Sequence, residues 1–211
     1  TSGIHERNAK WSPDGKSIAY ISDSSGEDEI YIRPGKDEGP TQRITTNGNN
    51  YKFDIQWSPD GKKILWSDRK THLYYVDIAT KNQTLVDTSN VYLIGNYSWS
   101  PDSKWIAARS SKGYYNANEI LLFNVTTNGQ GTDVTESGFS SAGMQWALNG
   151  KALLWVTDRN GKRPLAIQGA REVDVYAMFF DKETYDQFQL SKEEYSLLKE
   201  KDDKTDKDGK D

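Results

Sequence analysis

The chain has 211 residues, enough for one large domain or two small ones with a sizeable core, and it carries a net charge of −4. That acidic balance argues against nucleic-acid binding, the lack of cysteine excludes disulfides and thiolate catalysis, and no apolar run approaches the ~20 residues of a membrane span. Hydrophobic residues make up 35% of the chain, but aromatic residues make up 12%, which favours β-sheets because flat side chains pack well on a pleated surface.

One hexapeptide recurs along the chain. It reads WSPDGK from Trp11 and Trp57, WSPDSK from Trp99 and WALNGK from Trp146, at intervals of 46 (11 to 57), 42 (57 to 99) and 47 (99 to 146) residues. Such a period is typical of four-stranded propeller blades, which take roughly 40–50 residues each. The sequence therefore predicts about four blades, with repeats near residues 1–50, 51–92, 93–138 and 139–180.

Within each repeat, the hexapeptide predicts a tight turn between two strands. Pro sets φ for the second turn position, Asp suits the third and Gly the fourth, so Ser-Pro-Asp-Gly is a good type I turn. We expect each Trp to anchor its hairpin in the core and each Lys to begin the return strand in solvent. Seven residues after each Trp, an aliphatic residue starts the alternating pattern of that strand: Ile18, Ile64, Ile106 and Leu153.

A second β-rich run follows in every repeat. The runs read EIYIRP, HLYYVDI, EILLFNV and DVYAMFF, and they begin with Glu29, His72, Glu119 and Asp174. We expect His72 to take an exposed position at the strand edge. In the first three repeats, a polar stretch containing Thr then predicts a weaker fourth strand around Ile44, Val86 and Val134. The fourth repeat is irregular and has an insertion-like stretch at 162–172.

After Phe180 the pattern changes from strand to helix. Residues 181–188 suit a short helical turn, and Ser191 followed by Glu194 predicts a capping box for a helix from about Lys192 to about Lys201. Nearly every later residue is charged, which is typical of solvated segments. The predicted domains are propeller blades over residues 1–180, a helical extension over 181–200 and a charged linker or tail over 201–211.

The sequence shows no motif that carries catalysis. It contains neither G-x-S-x-G, H-E-x-x-H nor a P-loop, and its two histidines, His5 and His72, make a zinc site improbable without cysteine. The recurring hairpin residues could form a site, but turn chemistry accounts for them without one: Asp14, Asp60, Asp102 and, in the fourth copy, Asn149. We therefore expect no catalytic, cofactor-binding or metal-binding residues in this chain.

The hexapeptide and its flanking strands resemble the PD40 repeat, a WD40-like unit of TolB-type propellers. The stretch TSGIHERNAKWSPDGKSIAYISDSSGEDEIY, residues 1–31, is similar to a blade of the first propeller of tricorn-type proteases, as is YKFDIQWSPDGKKILWSDRK from Tyr51. The ending VYAMFFDKETYDQFQLSKEEYSLLKE resembles the exit from that propeller towards the next module. The resemblance covers about residues 1–200.

Tricorn-type proteases are S41-family serine peptidases in which two propellers precede a PDZ domain and a catalytic domain. The resemblance implies that this chain is a non-catalytic propeller that guides or filters peptide substrates and mediates protein interaction, and that its parent is a hydrolase. No catalytic Ser, His or Glu of the family maps onto it. The family's rings close with about six or seven blades, so a chain of about four blades belongs to a longer chain, closes as a four-bladed form or self-associates through an open edge. The implied partners are therefore peptides or proteins, other domains of the parent chain and, through open blade edges, further copies of the chain.

Two other functions stay open from the sequence alone. One is a free-standing TolB-like scaffold that binds another protein. The other is a propeller enzyme such as a lactonase or glycosidase, which needs a metal or paired carboxylates at the mouth of the channel. The compartment also stays open, between the periplasm and the cytoplasm of a prokaryote.

Overall fold

A computed structural model describes residues 3–36, 39–46, 48–90, 94–111, 118–162 and 172–208. The described strands form four antiparallel sheets that follow one another along the chain, and two helices lie at the C-terminal end. In each sheet, strands consecutive in sequence are paired, so every sheet is a propeller blade built as a meander. The predicted all-β propeller of about four blades, with a short helical C-terminus, is confirmed.

The first three blades have four strands each. In the first blade, strands β1 to β4 span Glu6–Trp11, Ser17–Ser22, Glu29–Pro34 and Gln42–Arg43. In the second, strands β5 to β8 span Lys52–Trp57, Lys63–Asp68, His72–Asp77 and Gln83–Thr88. In the third, strands β9 to β12 span Tyr97–Trp99, Trp105–Ser110, Glu119–Asn124 and Thr132–Asp133. The outer strands β4 and β12 have only two residues, in line with the weak fourth strand expected there.

The fourth blade has three described strands. Strands β13 to β15 span Ser141–Ala147, Ala152–Thr157 and Asp174–Phe179, and a short 3-10 turn, Leu148–Gly150, joins the first two. The insertion-like stretch at 162–172 lies mostly outside the described residues.

The hairpin register repeats from blade to blade. Each hexapeptide Trp pairs with the aliphatic residue seven positions later: Trp11 with Ile18, Trp57 with Ile64, Trp99 with Ile106 and Trp146 with Leu153. The last three of these aliphatic side chains are fully buried. The hexapeptide Lys is exposed in all four copies. The predicted hairpin is confirmed.

The core lies between neighbouring blades rather than inside any one of them. One apolar cluster joins the first and second blades through Ala19, Ile21, Ile30, Ile55, Ile64 and Val76. A larger cluster joins the second, third and fourth blades through Leu65, Leu73, Ile106, Ile120, Leu121 and Leu153. Because each sheet buries side chains against its neighbours on either side, every blade depends on the adjacent blades for its stability.

Two hexapeptide tryptophans tie their blades to the preceding one. The indole Nε1 of Trp57 donates to the carbonyl of Lys10 at 3.1 Å, and that of Trp99 donates to the carbonyl of Gln56 at 3.4 Å. In both cases the acceptor is the residue just before the previous blade's Trp. The Nε1 of Trp146 is buried, and no described residue accepts its proton.

Trp11 does not follow this pattern, because its side chain is 57% exposed. The prediction that every hexapeptide Trp anchors the core is therefore wrong for the first copy. The other tryptophans are covered by the blade before them, and no described residue takes the corresponding place beside the first blade.

Two capped helices end the described chain. Helix α1, Lys182–Gln189, begins after Asp181, whose carboxylate accepts the Thr184 N–H at 2.7 Å. Helix α2 spans Lys192–Asp208. The predicted capping box at its start is confirmed, since Ser191 N–H donates to the Glu194 carboxylate at 2.8 Å and Glu194 N–H donates to Ser191 Oγ at 3.3 Å. Helix α2 continues past the end expected near Lys201, because acidic residues four positions before lysines in this sequence favour helix.

Candidate functional site

The three complete hairpins use their Ser and Asp side chains within their own turns. In each, the Ser carbonyl accepts the N–H three residues later, at 2.8 to 2.9 Å. The Ser hydroxyl donates to the Asp carboxylate at 2.6, 2.6 and 2.5 Å in the three successive copies. The same carboxylate oxygen accepts the N–H of the hexapeptide Lys at 3.1, 3.0 and 3.1 Å. These residues are Ser12 and Asp14, Ser58 and Asp60, and Ser100 and Asp102.

The hydrogen bonds keep these aspartates ionised. At Asp14, the bonds from the Ser12 hydroxyl and the Lys16 N–H hold the carboxyl pKa below its usual range. Desolvation raises the pKa of Asp60 and of Asp102, but the equivalent hydrogen bonds more than offset it, so both pKa values are also lowered. The turns thus account for the hairpin aspartates, and their recurrence does not require a site.

Each hairpin also packs on the hairpin before it. Ser103, with a left-handed φ of 61°, accepts the Asp60 N–H through its hydroxyl at 3.0 Å. Gly150 has φ 87°, and a Cβ added there would lie 3.2 Å from the Pro101 ring. Gly61 takes the same conformation beside Pro13, with a corresponding distance of 3.9 Å. Positive φ at this position favours glycine, so Ser103 is strained and its hydrogen bond to the neighbouring hairpin offsets the strain.

The fourth hairpin differs from the other three. Ala147 replaces the turn serine, so no hydroxyl is available to bond the turn. Leu148 and Asn149 adopt left-handed φ values of 49° and 54°. The turn is closed by the Lys151 N–H, which donates to the Leu148 carbonyl at 3.1 Å. This altered turn lies at the junction of the third and fourth blades and follows Trp146, whose indole N–H has no described partner.

A groove of about 910 Å³ lies at that junction between the third and fourth blades, and we call it the blade 3–4 groove. Grooves at the first and second junctions measure about 450 and 180 Å³. The volume of the blade 3–4 groove falls within the range of about 300–1,000 Å³ that is typical of ligand sites. Apolar side chains from both blades form its walls: Trp105, Leu122, Trp146, Met178 and Phe180.

Charged side chains lie along the rim of this groove. Three are acidic, namely Asp102, Asp133 and Glu136, and one is basic, Arg159. Asp133 accepts hydrogen bonds from the N–H groups of Thr135 and Glu136 through a single carboxylate oxygen, at 2.9 and 3.0 Å. The groove therefore combines aromatic walls with a predominantly acidic rim. No local motif indicates this groove, because its residues come from parts of the chain far apart in sequence.

Buried acids at the start of the third strand hold the loops that lead to the next blade. Glu29 and Glu119 are both buried. Each accepts a hydrogen bond from a threonine hydroxyl, and each also accepts a glycine N–H, at 2.7 Å in the first blade and 2.6 Å in the third. The donors are Thr45 and Gly48 for Glu29, and Thr135 and Gly138 for Glu119. These acids are structural because their oxygens are engaged by backbone and hydroxyl donors.

A second set of buried charges joins the first and second blades. Lys52 Nζ lies 3.5 Å from the Glu29 carboxylate and donates to the Asp28 carbonyl at 2.5 Å. Arg7 forms a bidentate pair with Asp28, and its guanidinium lies 4.1 Å from the centre of the Tyr51 ring. Desolvation raises the Asp28 pKa, but the Arg7 hydrogen bond opposes it and the pKa is lowered overall. Since these charges are paired with one another, the cluster is a joint between blades.

His72 is half-buried, so the prediction of an exposed strand-edge position is wrong. Its ring Nδ1 lies 2.9 Å from Asp68 Oδ2, and its backbone N–H donates to Asp68 Oδ1 at 3.0 Å. Asp68 caps the turn before β7 by accepting both of these hydrogen bonds. The His72 imidazole is thereby held against the sheet. The backbone N–H of His5 donates to Asp23 at 2.8 Å. In the described part of the chain, neither imidazole bonds a serine hydroxyl, so these residues form no Ser-His-Asp triad.

The described residues also lack other features of catalytic or membrane sites. Within the described ranges, no group of three or more His, Cys, Asp or Glu is placed to hold a metal ion. None of the helices over those residues has the length and hydrophobicity needed to cross a membrane.

Family comparison agrees with the fold. The model of the tricorn protease second β-propeller domain matches residues 1–211. This chain belongs to that family. The expectation of a first-propeller blade is therefore wrong, because the hairpin motif specifies how a blade is built and not which propeller contains it.

Individual relatives of this tricorn-family propeller are much longer than the chain itself. It is 32% identical over 113 residues to a tricorn protease homolog of Saccharolobus solfataricus, a match that covers 54% of this chain and 10% of the relative. The crystal structure of the tricorn protease superposes with a TM-score of 0.63 at 14% identity, over 77% of this chain and 16% of that one. A putative TolB from Agrobacterium tumefaciens superposes with a TM-score of 0.55 at 22% identity, over 82% and 61% of the two chains. At these identities, the structural matches show the fold alone.

Proposed function

We propose that this chain is a non-catalytic propeller of a tricorn-like serine peptidase, which guides or filters peptide substrates and contacts other domains of its parent. Membership of the tricorn second-propeller family supports the parentage. The division at residue 180 into propeller blades and a helical extension, with a charged segment from 201, is part of the same proposal.

The blade 3–4 groove is the observation that carries the peptide-handling role. It is of ligand size and is open to solvent, and its walls expose aromatic side chains from two blades. Trp105 is 37% exposed and Phe180 is 44% exposed, although both are large apolar residues. Aromatic surface of this kind gains free energy when apolar peptide side chains cover it. A peptidase needs its substrate held before cleavage, and a groove of this kind provides such a holding surface.

A binding assay and a cleavage assay on the same chain test this function. Short fluorescein-labelled peptides are titrated with the purified chain while anisotropy is followed, and the same mixtures are then analysed by mass spectrometry. We expect reversible binding and intact peptides. Cleavage by the chain at a rate above the peptide-only blank would contradict a non-catalytic role, and the absence of binding by any peptide would contradict peptide handling.

The contact with other parent domains is proposed from the two outer blades. Trp11 is 57% exposed on the first blade, and Val175 is 73% exposed on the fourth. Large exposed apolar side chains on open blades are suited to an intramolecular interface. Light scattering of the chain over a range of concentrations tests this proposal. We expect a monomer, because the complementary surface belongs to other domains, whereas a mass that rises with concentration would indicate pairing between copies instead.

A further inference from the structure

We infer that the blade 3–4 groove selects peptides in which a basic side chain lies next to an apolar one. This inference rests on the proposed peptide-handling function and makes it specific. It depends on two features of the groove, the exposed aromatic walls and the carboxylates along the rim.

The walls suit the apolar part of such a ligand. Trp105 enters from the third blade and Phe180 from the fourth, and the Phe180 ring packs at 5.8 Å from Trp146. Leu122 and Met178 complete an apolar surface between them. The methylene stem of a lysine or arginine packs along such a surface while its charged end stays in water. A cation above an exposed indole face is attracted further by the ring quadrupole.

The rim suits the charged end of the ligand. Asp102 and Asp133 each use only Oδ1 for hydrogen bonds with described residues, and the exposed Glu136 carboxylate accepts none from them. The lining includes three carboxylates and one guanidinium, that of Arg159, and Lys104 lies near Asp102, so the rim keeps a net negative charge. The Asp102 carboxyl stays ionised at neutral pH because its pKa is lowered. Free carboxylate oxygens beside an apolar wall attract an ammonium or guanidinium group and disfavour an acidic peptide.

The test compares two labelled hexapeptides that differ only in charge. One is fluorescein-Gly-Leu-Lys-Phe-Lys-Gly-amide, labelled on its N-terminal amine, and the other has Glu in place of both Lys. We expect the Lys peptide to bind the 211-residue chain at least about ten-fold more tightly than the Glu peptide, with a preference that falls as salt rises from about 0.05 to about 0.5 M.

Two pairs of variants locate the site. Glu136→Gln should weaken Lys-peptide binding about two- to five-fold, as expected for a partly exposed ion pair. Glu27 is an exposed glutamate of the first blade, away from the groove. The control Glu27→Gln therefore removes the same charge and should leave binding unchanged. Trp105→Ser should weaken binding of both peptides, whereas Trp11→Ser removes an exposed tryptophan elsewhere and should not. Because Glu136 is exposed, its variant is expected to keep the fold, which far-UV circular dichroism verifies.

Four results would overturn the inference in different ways. Equal binding of the Lys and Glu peptides would refute charge selection. Tight Lys-peptide binding that neither Glu136→Gln nor Trp105→Ser alters would refute the location and leave the proposed function intact. If neither hexapeptide binds but other short labelled peptides do, this inference is refuted and the proposed function stands. If no peptide binds at all, both are refuted.

Discussion

Replacement of the hexapeptide tryptophans by phenylalanine should destabilise the second blade more than the fourth. Trp57 and Trp146 occupy equivalent positions, both are half-buried, and both pack against core clusters. They differ in hydrogen bonding and in one ring contact, since the Phe180 ring packs 5.8 Å from Trp146. The Trp57 indole N–H donates to the Lys10 carbonyl at 3.1 Å, whereas the buried Trp146 N–H has no described acceptor. Phenylalanine keeps an aromatic ring at both positions, so the pair Trp57→Phe and Trp146→Phe compares the loss of a bonded N–H with the loss of an unbonded one.

The magnitude follows from hydrogen-bond energetics. Trp57→Phe loses a bond with a net value of about 0.5–1.5 kcal/mol, and Trp146→Phe removes an unsatisfied donor whose burial costs about 1–3 kcal/mol. The loss of indole volume is similar in the two variants. We therefore expect the free energy of unfolding of Trp57→Phe to be lower than that of Trp146→Phe by roughly 1.5–4.5 kcal/mol. At about 2–4 °C per kcal/mol for a chain of this size, several degrees should separate their melting temperatures.

Urea unfolding followed by far-UV circular dichroism measures the difference in free energy of unfolding between the two variants, and it does not rely on tryptophan emission. Equal m-values for the two variants would show that both unfold the same amount of surface. If Trp146→Phe proves as destabilising as Trp57→Phe, the unpaired N–H is not a defect of the fourth blade.

Three further predictions concern the turns and the buried acids. Ser103→Ala should destabilise the chain by about 1–2 kcal/mol more than Ser103→Gly in thermal unfolding, because only glycine relieves the left-handed φ. Glu29→Gln should lower the free energy of unfolding in urea by on the order of 1–3 kcal/mol more than Glu119→Gln, because of these two acids only Glu29 lies beside a buried ammonium, that of Lys52. The three hairpin aspartates have lowered pKa values when folded, so they add stability above about pH 4 that is lost as pH falls further. Melting temperatures measured from pH 6 down to about pH 2.5 should fall less steeply when all three are replaced by Asn.

The blades were predictable because their signals are local. A Pro, an Asp and a Gly in fixed order determine the turn, and the seven-residue step from Trp11 to Ile18 determines the register of the hairpin. Neither requires knowledge of distant parts of the chain. The same holds for the capping box at Ser191 and Glu194, which spans a single helical turn.

The buried acids were missed although the sequence contains a signal for them. A polar residue at the start of a strand normally suggests exposure. Glu29 is instead buried by its donors 16 and 19 residues later, and Glu119 has donors at the same two separations. That repeated Glu, Thr and Gly spacing could have indicated a structural role before any coordinates were known.

The blade 3–4 groove could not have been predicted in this way. It depends on side chains such as Asp133 and Arg159, which come from different blades and line one groove only when two sheets are placed side by side. The altered hexapeptide WALNGK did mark the fourth blade as unusual. Nothing in it indicated that the consequence would be a cavity.

The contact between successive hairpins makes the repeat interchangeable. Each complete hexapeptide has a Pro-Asp surface on which the following hairpin packs. Each hexapeptide after the first also has a left-handed residue that rests on the hairpin before it, as Ser103 rests on Asp60 and Gly61 lies beside Pro13. A duplicated or deleted repeat therefore brings or removes both halves of the contact together. Propellers built from such units gain or lose blades without leaving a hairpin whose contact surface has no partner. A repeat moved into another propeller is therefore best cut from one hairpin turn to the next, rather than from one sheet to the next.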